Sequence, residues 1–92
     1  MVQFYQLEMK IHYTKHAFKK QEILKELGCD IRFETVEETI KNPQVTGKTK
    51  QGQPTAIKFL DDKHILRVVY EVRSGIITVI TFHIARKGRY GI

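Results

Sequence analysis

The chain has 92 residues, 16 of them Lys or Arg and ten Asp or Glu, giving a formal net charge of +6. That length admits one small domain spanning 1–92 and excludes a separate cofactor domain, while a 41% hydrophobic content supplies a modest core and argues against disorder. No apolar run approaches the ~20 residues of a membrane helix, and Cys29, the one cysteine, excludes an internal disulfide and a thiolate metal cluster.

Residues 2–12 alternate loosely and suit an extended strand or arm. The opening MVQFYQLEMK has neither the basic start nor the unbroken apolar stretch of a signal peptide, so a soluble, cytoplasmic protein without membrane contact is expected. Thr14 reads as the N-cap of a helix running to about Leu27. Its apolar stripe is Ala17, Phe18, Ile23, Leu24 and Leu27, and Gly28 is the stop. Cys29, just beyond, is expected to be a buried small apolar residue. Thr35-Val36-Glu37-Glu38 matches the capping box that opens a second, short helix, and Asn42-Pro43 ends it.

The remainder reads as strands. Residues 44–50 and 55–60 are separated by the turn Gln51-Gly52-Gln53-Pro54, and Asp61-Asp62-Lys63-His64 is a second turn. Residues 65–72 and 76–85 are the strongest strands, joined by Arg73-Ser74-Gly75, and ARKGRYGI is a basic tail. Helices grouped before strands predict an α+β fold. Two N-terminal helices would pack on one face of a curved, mainly antiparallel sheet of four to five strands.

The last hairpin predicts which side chains share a face. A three-residue loop with glycine in the left-handed position pairs Val72 with Ile76, Tyr70 with Thr78, Val68 with Ile80 and Leu66 with Phe82. That face would carry the helices. The opposite face would hold Ile65, Arg67, Val69, Glu71, Ile77, Val79, Thr81 and His83, with Arg67 across from Thr81 and Ile65 across from His83. A two-residue Ser-Gly loop would set Arg67 beside Phe82 and spoil both faces.

The charge is uneven. Residues 1–46 carry seven basic and seven acidic side chains; residues 47–92 carry nine basic and three acidic. The whole excess lies in the second half, where a sheet would present a basic face suited to RNA or DNA, or simply a solvated surface. On that face Arg67, Thr81 and His83 supply a cation, a hydroxyl and an imidazole. Cleaving RNA without a metal requires a base for the 2′-hydroxyl proton, an acid for the leaving oxygen and a cation on the phosphate. Histidine suits either proton role, and the arginine fork suits phosphate. The alternative for Arg67 is an ion pair with Glu71; for His83, a structural hydrogen bond; for His16, in the first helical turn, a solvated position. His12 and His16 have i, i+4 spacing, but Thr14 as cap places His12 outside the helix and no third ligand is spaced to complete a metal site. No metal and no cofactor is expected. Tyr90 would stack on a base or anchor the tail.

Thr14-Lys15-His16-Ala17, Val36-Glu37-Glu38-Thr39-Ile40-Lys41-Asn42-Pro43, Leu66-Arg67-Val68-Val69-Tyr70, the run IITVIT over 76–81 and Arg89-Tyr90 occur here in one order. In that order and spacing the chain resembles a family of small domains allied to RelE-like and BrnT-like toxins, grouped with the barnase, colicin and RelE ribonuclease fold. The resemblance implies two helices followed by a curved antiparallel sheet. It also implies a metal-independent endoribonuclease, often the toxin of a toxin–antitoxin pair, with site residues His16, Arg67, Thr81, His83 and Tyr90. The full set of basic and tyrosine positions of ribosome-dependent toxins is not matched, and related toxins act by binding alone. The expected partners are therefore RNA, an antitoxin protein and a second copy of the chain. Arg67 would hold the phosphate, His16 or His83 would exchange protons, and Thr81 would orient. Lys48, Lys50, Lys63, Arg86, Arg89 and Tyr90 would bind the RNA. The alternative is a non-catalytic module of the same fold that grips nucleic acid or protein through this face.

Overall fold

A computed structural model describes residues 10–92. In chain order the elements are β1 (Lys10–Tyr13), α1 (Lys15–Glu26), α2 (Phe33–Lys41), β2 (Val45–Lys48), β3 (Pro54–Phe59), β4 (His64–Arg73), β5 (Ile76–Arg86) and a terminal 3-10 helix, Lys87–Tyr90. Residues 2–9 of the first predicted strand lie outside the described part.

α1 starts where its cap dictates. Thr14 keeps an extended backbone, and its hydroxyl oxygen accepts from the Ala17 N–H at 3.1 Å. The inner stripe is narrower than the sequence suggests. Ala17 is buried and Leu24 half-buried, two helical turns apart on one face. Phe18, Ile23 and Leu27 are exposed. Phe18 turns instead toward the Phe33 ring, with centroids 5.4 Å apart. Cys29 is exposed, not buried.

α2 begins two residues before the predicted cap. Its N-cap is Arg32, with no side-chain capping bond, and Thr35 sits inside the first turn. The capping box does not form, because the earlier start seats Phe33 against Tyr13, with ring centroids 4.4 Å apart. The Thr35 carbonyl instead accepts from the Thr39 hydroxyl at 2.7 Å. Asn42 ends the helix as expected.

The sheet is mixed, in the order β1-β5-β4-β3-β2. β1 runs parallel to β5, and the other three pairings are antiparallel. The β4–β5 hairpin closes differently from the prediction. Arg73 pairs with Ile76, leaving the two-residue loop Ser74-Gly75 with both φ angles positive, 52° and 76°. This is the turn whose twist matches that of the strands. The register then shifts: Tyr70 faces Val79 but Val69 faces Thr81, so Ile80 is an extra residue, a β-bulge. Before the bulge the parity of β5 is the reverse of the predicted one. Ile77 and Val79 are buried in the main core, while Ile76 and Thr78 pair with Arg73 and Glu71 on the opposite face. After the bulge, Phe82 faces Val68 and His83 faces Arg67.

That main core joins Ala17 of α1 and Val36 and Ile40 of α2 to Leu66, Val68, Ile77, Val79 and Phe82. A smaller cluster forms on the other side of the sheet. Ile57, Ile65 and Ala85 are buried there, with Val45, Phe59 and Tyr90 packed against them. Burying a side chain such as Ile65 completely contributes about 1.5–3 kcal/mol. The basic tail is thus an ordered cap on part of this face.

Candidate functional site

Strand alternation places Arg67 on the face away from the main core, between Ile57 of β3 and His83 of β5. It is half-buried. The 3-10 helix then folds Tyr90 back over this pair. The Arg67 guanidinium carbon lies 4.9 Å from the Tyr90 ring centroid, a cation–π contact. The Tyr90 hydroxyl and His83 Nε2 share a hydrogen bond of 2.9 Å. One aromatic side chain therefore touches both the guanidinium and the imidazole.

Electrostatics set the state of the histidine. Burial pushes the His83 pKa down, and the positive charges of Arg67, Lys20 and Arg89 push it the same way. A neutral ring carries one N–H and one acceptor nitrogen; with the proton on Nδ1, Nε2 accepts from the tyrosine hydroxyl. Arg67 is not neutralised by Glu71, which pairs with Thr78 further along the strand. Among the described residues, the one basic side chain within 4.0 Å of a carboxylate is His64, 3.0 Å from Asp61. The ion-pair explanation of Arg67 is thereby overturned.

The predicted site residues divide into three groups. Arg67 and His83 are direct cross-strand partners in place of the predicted Arg67–Thr81 pair, because the two-residue loop and the bulge each shift the register by one residue and Thr81 faces Val69. Thr81 remains on the same face, diagonal to Arg67. His16 is exposed on α1, and among the described residues no hydrogen bond joins it to Arg67, His83 or Tyr90. Lys20, one turn further along the same face of α1, is the residue of that helix whose charge reaches His83.

The predicted RNA-binding residues also separate. Lys63, Arg86 and Arg89 converge with Lys87 and Gly88 around an open depression of about 590 Å³. Lys87 lies with its Nζ 4.5 Å from the Phe59 ring centroid, and its N–H donates to the Lys63 carbonyl at 3.0 Å. Lys48 and Lys50 are at the other end of the sheet, where Lys48 pairs with Pro54. Alternation along β2 points Lys48 to the face opposite Arg67.

Among the described residues no helix is long and apolar enough to cross a membrane. Comparison with protein-family models, curated proteins and solved structures finds no match.

Proposed function

We propose that this protein is a metal-independent endoribonuclease whose working centre is Arg67, His83 and Tyr90. The observation that carries the reading is the meeting of guanidinium and imidazole at one tyrosine, 4.9 Å from its ring and 2.9 Å from its hydroxyl, with no carboxylate of the described residues within 4.0 Å of Arg67 or His83. In this reading the guanidinium holds the scissile phosphate through its planar fork. In the tautomer with Nε2–H donating to the Tyr90 hydroxyl oxygen, Nδ1 is the free acceptor and takes the 2′-hydroxyl proton; the freed oxygen attacks the neighbouring phosphorus, and the bond from phosphorus to the 5′-oxygen breaks. The leaving oxygen takes a proton from the tyrosine or from water. Products would be a 2′,3′-cyclic phosphate and a 5′-hydroxyl. The order of two helices followed by a meander is that of the RelE-like domains the sequence resembles, and supports a toxin role. An edge strand of the sheet, β2 (Val45–Lys48), is then where an antitoxin segment would add.

A second reading, RNA binding without chemistry, is favoured by the position of Thr81 beside Val69 and by the absence of His16 from the hydrogen bonds of the cluster. Incubation of mixed RNA in EDTA with wild type, Arg67→Gln, His83→Gln and His16→Ala separates the two. Cyclic-phosphate ends from wild type, lost in the Arg67 and His83 variants, support cleavage. Intact RNA with a retained mobility shift supports binding alone. Circular dichroism verifies the fold of each variant.

A further inference from the structure

We infer that the depression formed by Lys63, Arg86, Lys87, Gly88 and Arg89 is a second phosphate site, which holds a backbone phosphate of the same RNA to one side of the phosphate at Arg67. The ligand class rests on the RNA reading above; the geometry of the depression does not.

Four cationic side chains line one concave surface of about 590 Å³. Among the described residues none of them lies within 4.0 Å of a carboxylate. Asp61, close in sequence to Lys63, is otherwise engaged: its carboxylate accepts from the Lys63 and His64 N–H groups at 2.7 and 2.8 Å and contacts the His64 ring at 3.0 Å. Like charges gathered on one concavity repel one another, and an anion placed among them removes that repulsion. The frame beneath them is fixed. The Lys87 amide is bonded to the Lys63 carbonyl at 3.0 Å, the Ile92 N–H donates to the Lys87 carbonyl at 3.3 Å, and the Lys87 side chain lies on Phe59.

The depression also continues the candidate site. Arg86 ends β5 three residues beyond His83, about 10 Å along the strand, and alternation turns its side chain to the other face at the sheet's end, so the link to the candidate site runs through the 3-10 turn. Arg89 precedes Tyr90, and its charge is one of those that depress the His83 pKa. A strand of RNA laid from Arg67 across Tyr90 and the terminal turn to the end of the sheet would bring a further phosphate over this surface. Residues 87–89 line the depression and residue 90 touches Arg67 and His83, so an anion held here also secures the turn that seats Tyr90.

The test uses the full chain and a fluorescent single-stranded RNA whose 2′-hydroxyls are methylated, so that binding is read without cleavage. Anisotropy titrations at several salt concentrations give the slope of log K against log salt, to which each phosphate contact on a single strand contributes ~0.7. Arg86→Gln/Arg89→Gln, which removes the one phosphate contact of this site, is expected to lower the slope magnitude by about 0.7, and Lys63→Gln by no more than that. Lys48→Gln/Lys50→Gln, which removes the same charge at the far end, is expected to leave it unchanged. Arg86 and Arg89 are exposed, and an unchanged melting temperature verifies their fold. An unaltered slope in the Arg86/Arg89 variant overturns the proposal. So does an equal loss in the Lys48/Lys50 variant, which would indicate net charge alone. A gain in affinity from a 5′-phosphate, present in wild type and abolished in the Arg86/Arg89 variant, overturns the backbone assignment in favour of a chain end. Cleavage of unmodified RNA is scored separately. If wild type cleaves nothing but the slopes shift as stated, the nuclease reading fails and the phosphate site stands.

Discussion

Tyr90 is the residue on which the site and the terminal turn both depend, and two substitutions separate its contributions. Tyr90→Phe removes the hydroxyl that bonds His83 at 2.9 Å and keeps the ring over Arg67 and the Ile57–Ile65–Ala85 cluster. A neutral hydrogen bond of this kind contributes about 1 kcal/mol net, which in a domain of this size lowers Tm by about 4–8 °C. Tyr90→Ala also removes the ring. A fully buried aromatic costs about 3–5 kcal/mol when truncated, and Tyr90 is half-buried, so about 2 kcal/mol is expected for packing. The contact with Arg67 adds about 0.5–1 kcal/mol. The alanine variant should therefore lose about 3.5–4 kcal/mol in all, several times the loss in the phenylalanine variant. Urea unfolding followed by circular dichroism reads both values, and with a slope near 2 kcal/mol per molar the phenylalanine variant shifts the midpoint by about 0.5 M. A wild-type midpoint for Tyr90→Ala would mean that the turn is not seated on the sheet, and the Arg67–His83–Tyr90 centre would fall with it. Activity adds an independent arm. In the nuclease reading Tyr90→Phe loses far more cleavage than stability accounts for, while RNA binding persists.

Two further outcomes follow from individual contacts. The His83 pKa is held below its ordinary value of 6.5. Between that lowered value and 6.5 the unfolded chain binds a proton that the folded chain does not, so stability is fully present above the window and falls as pH drops through it. Urea midpoints measured across this range should decline on the acid side in wild type and decline less in His83→Gln. Thr14→Ala removes the cap on Ala17 and the bond from the Thr14 hydroxyl to the Ile80 carbonyl at 2.8 Å. At about 1 kcal/mol for the cap and about 1 kcal/mol for the bond, the expected loss is about 2 kcal/mol by urea unfolding, with Thr14→Ser restoring most of it.

Much of the fold was legible because local signals were strong: the Thr14 cap, the stop at Gly28, the break at Asn42-Pro43 and the strand runs on either side of Ser74-Gly75. Arg67, Thr81 and His83 do share a face, but by another route than a three-residue loop. The alternation of β5 was ambiguous because IITVITF is apolar at both parities over its first half, so no period-2 count could locate a bulge there. The capping box failed because packing of Phe33 on Tyr13 outweighed a cap of about 1 kcal/mol. The docking of the tail was invisible because ARKGRYGI carries no apolar periodicity. Its partners, Phe59, Arg67 and His83, are distant in sequence from one another or from the tail, and only the folded sheet gathers them.

The bulge decides which chemistry the sheet can present. Had the register of the two-residue turn continued unbroken past Val79, Arg67 would face Phe82 and Leu66 would face His83. The imidazole would then enter the main core, and a phenylalanine would take its place beside the guanidinium. One extra residue, Ile80, reverses the parity and returns both to the faces that suit them. The strand that bulges is also held at that point from α1. The Thr14 N–H donates to the Val79 carbonyl at 3.1 Å, and its hydroxyl donates to the Ile80 carbonyl at 2.8 Å while accepting from Ala17. A single threonine thus starts the helix, fixes the irregularity in β5 and, through it, aligns His83 with Arg67. Loss of those bonds would loosen the alignment before it unfolded the domain, so the geometry of the candidate site is tied to the helix cap on the other side of the strand.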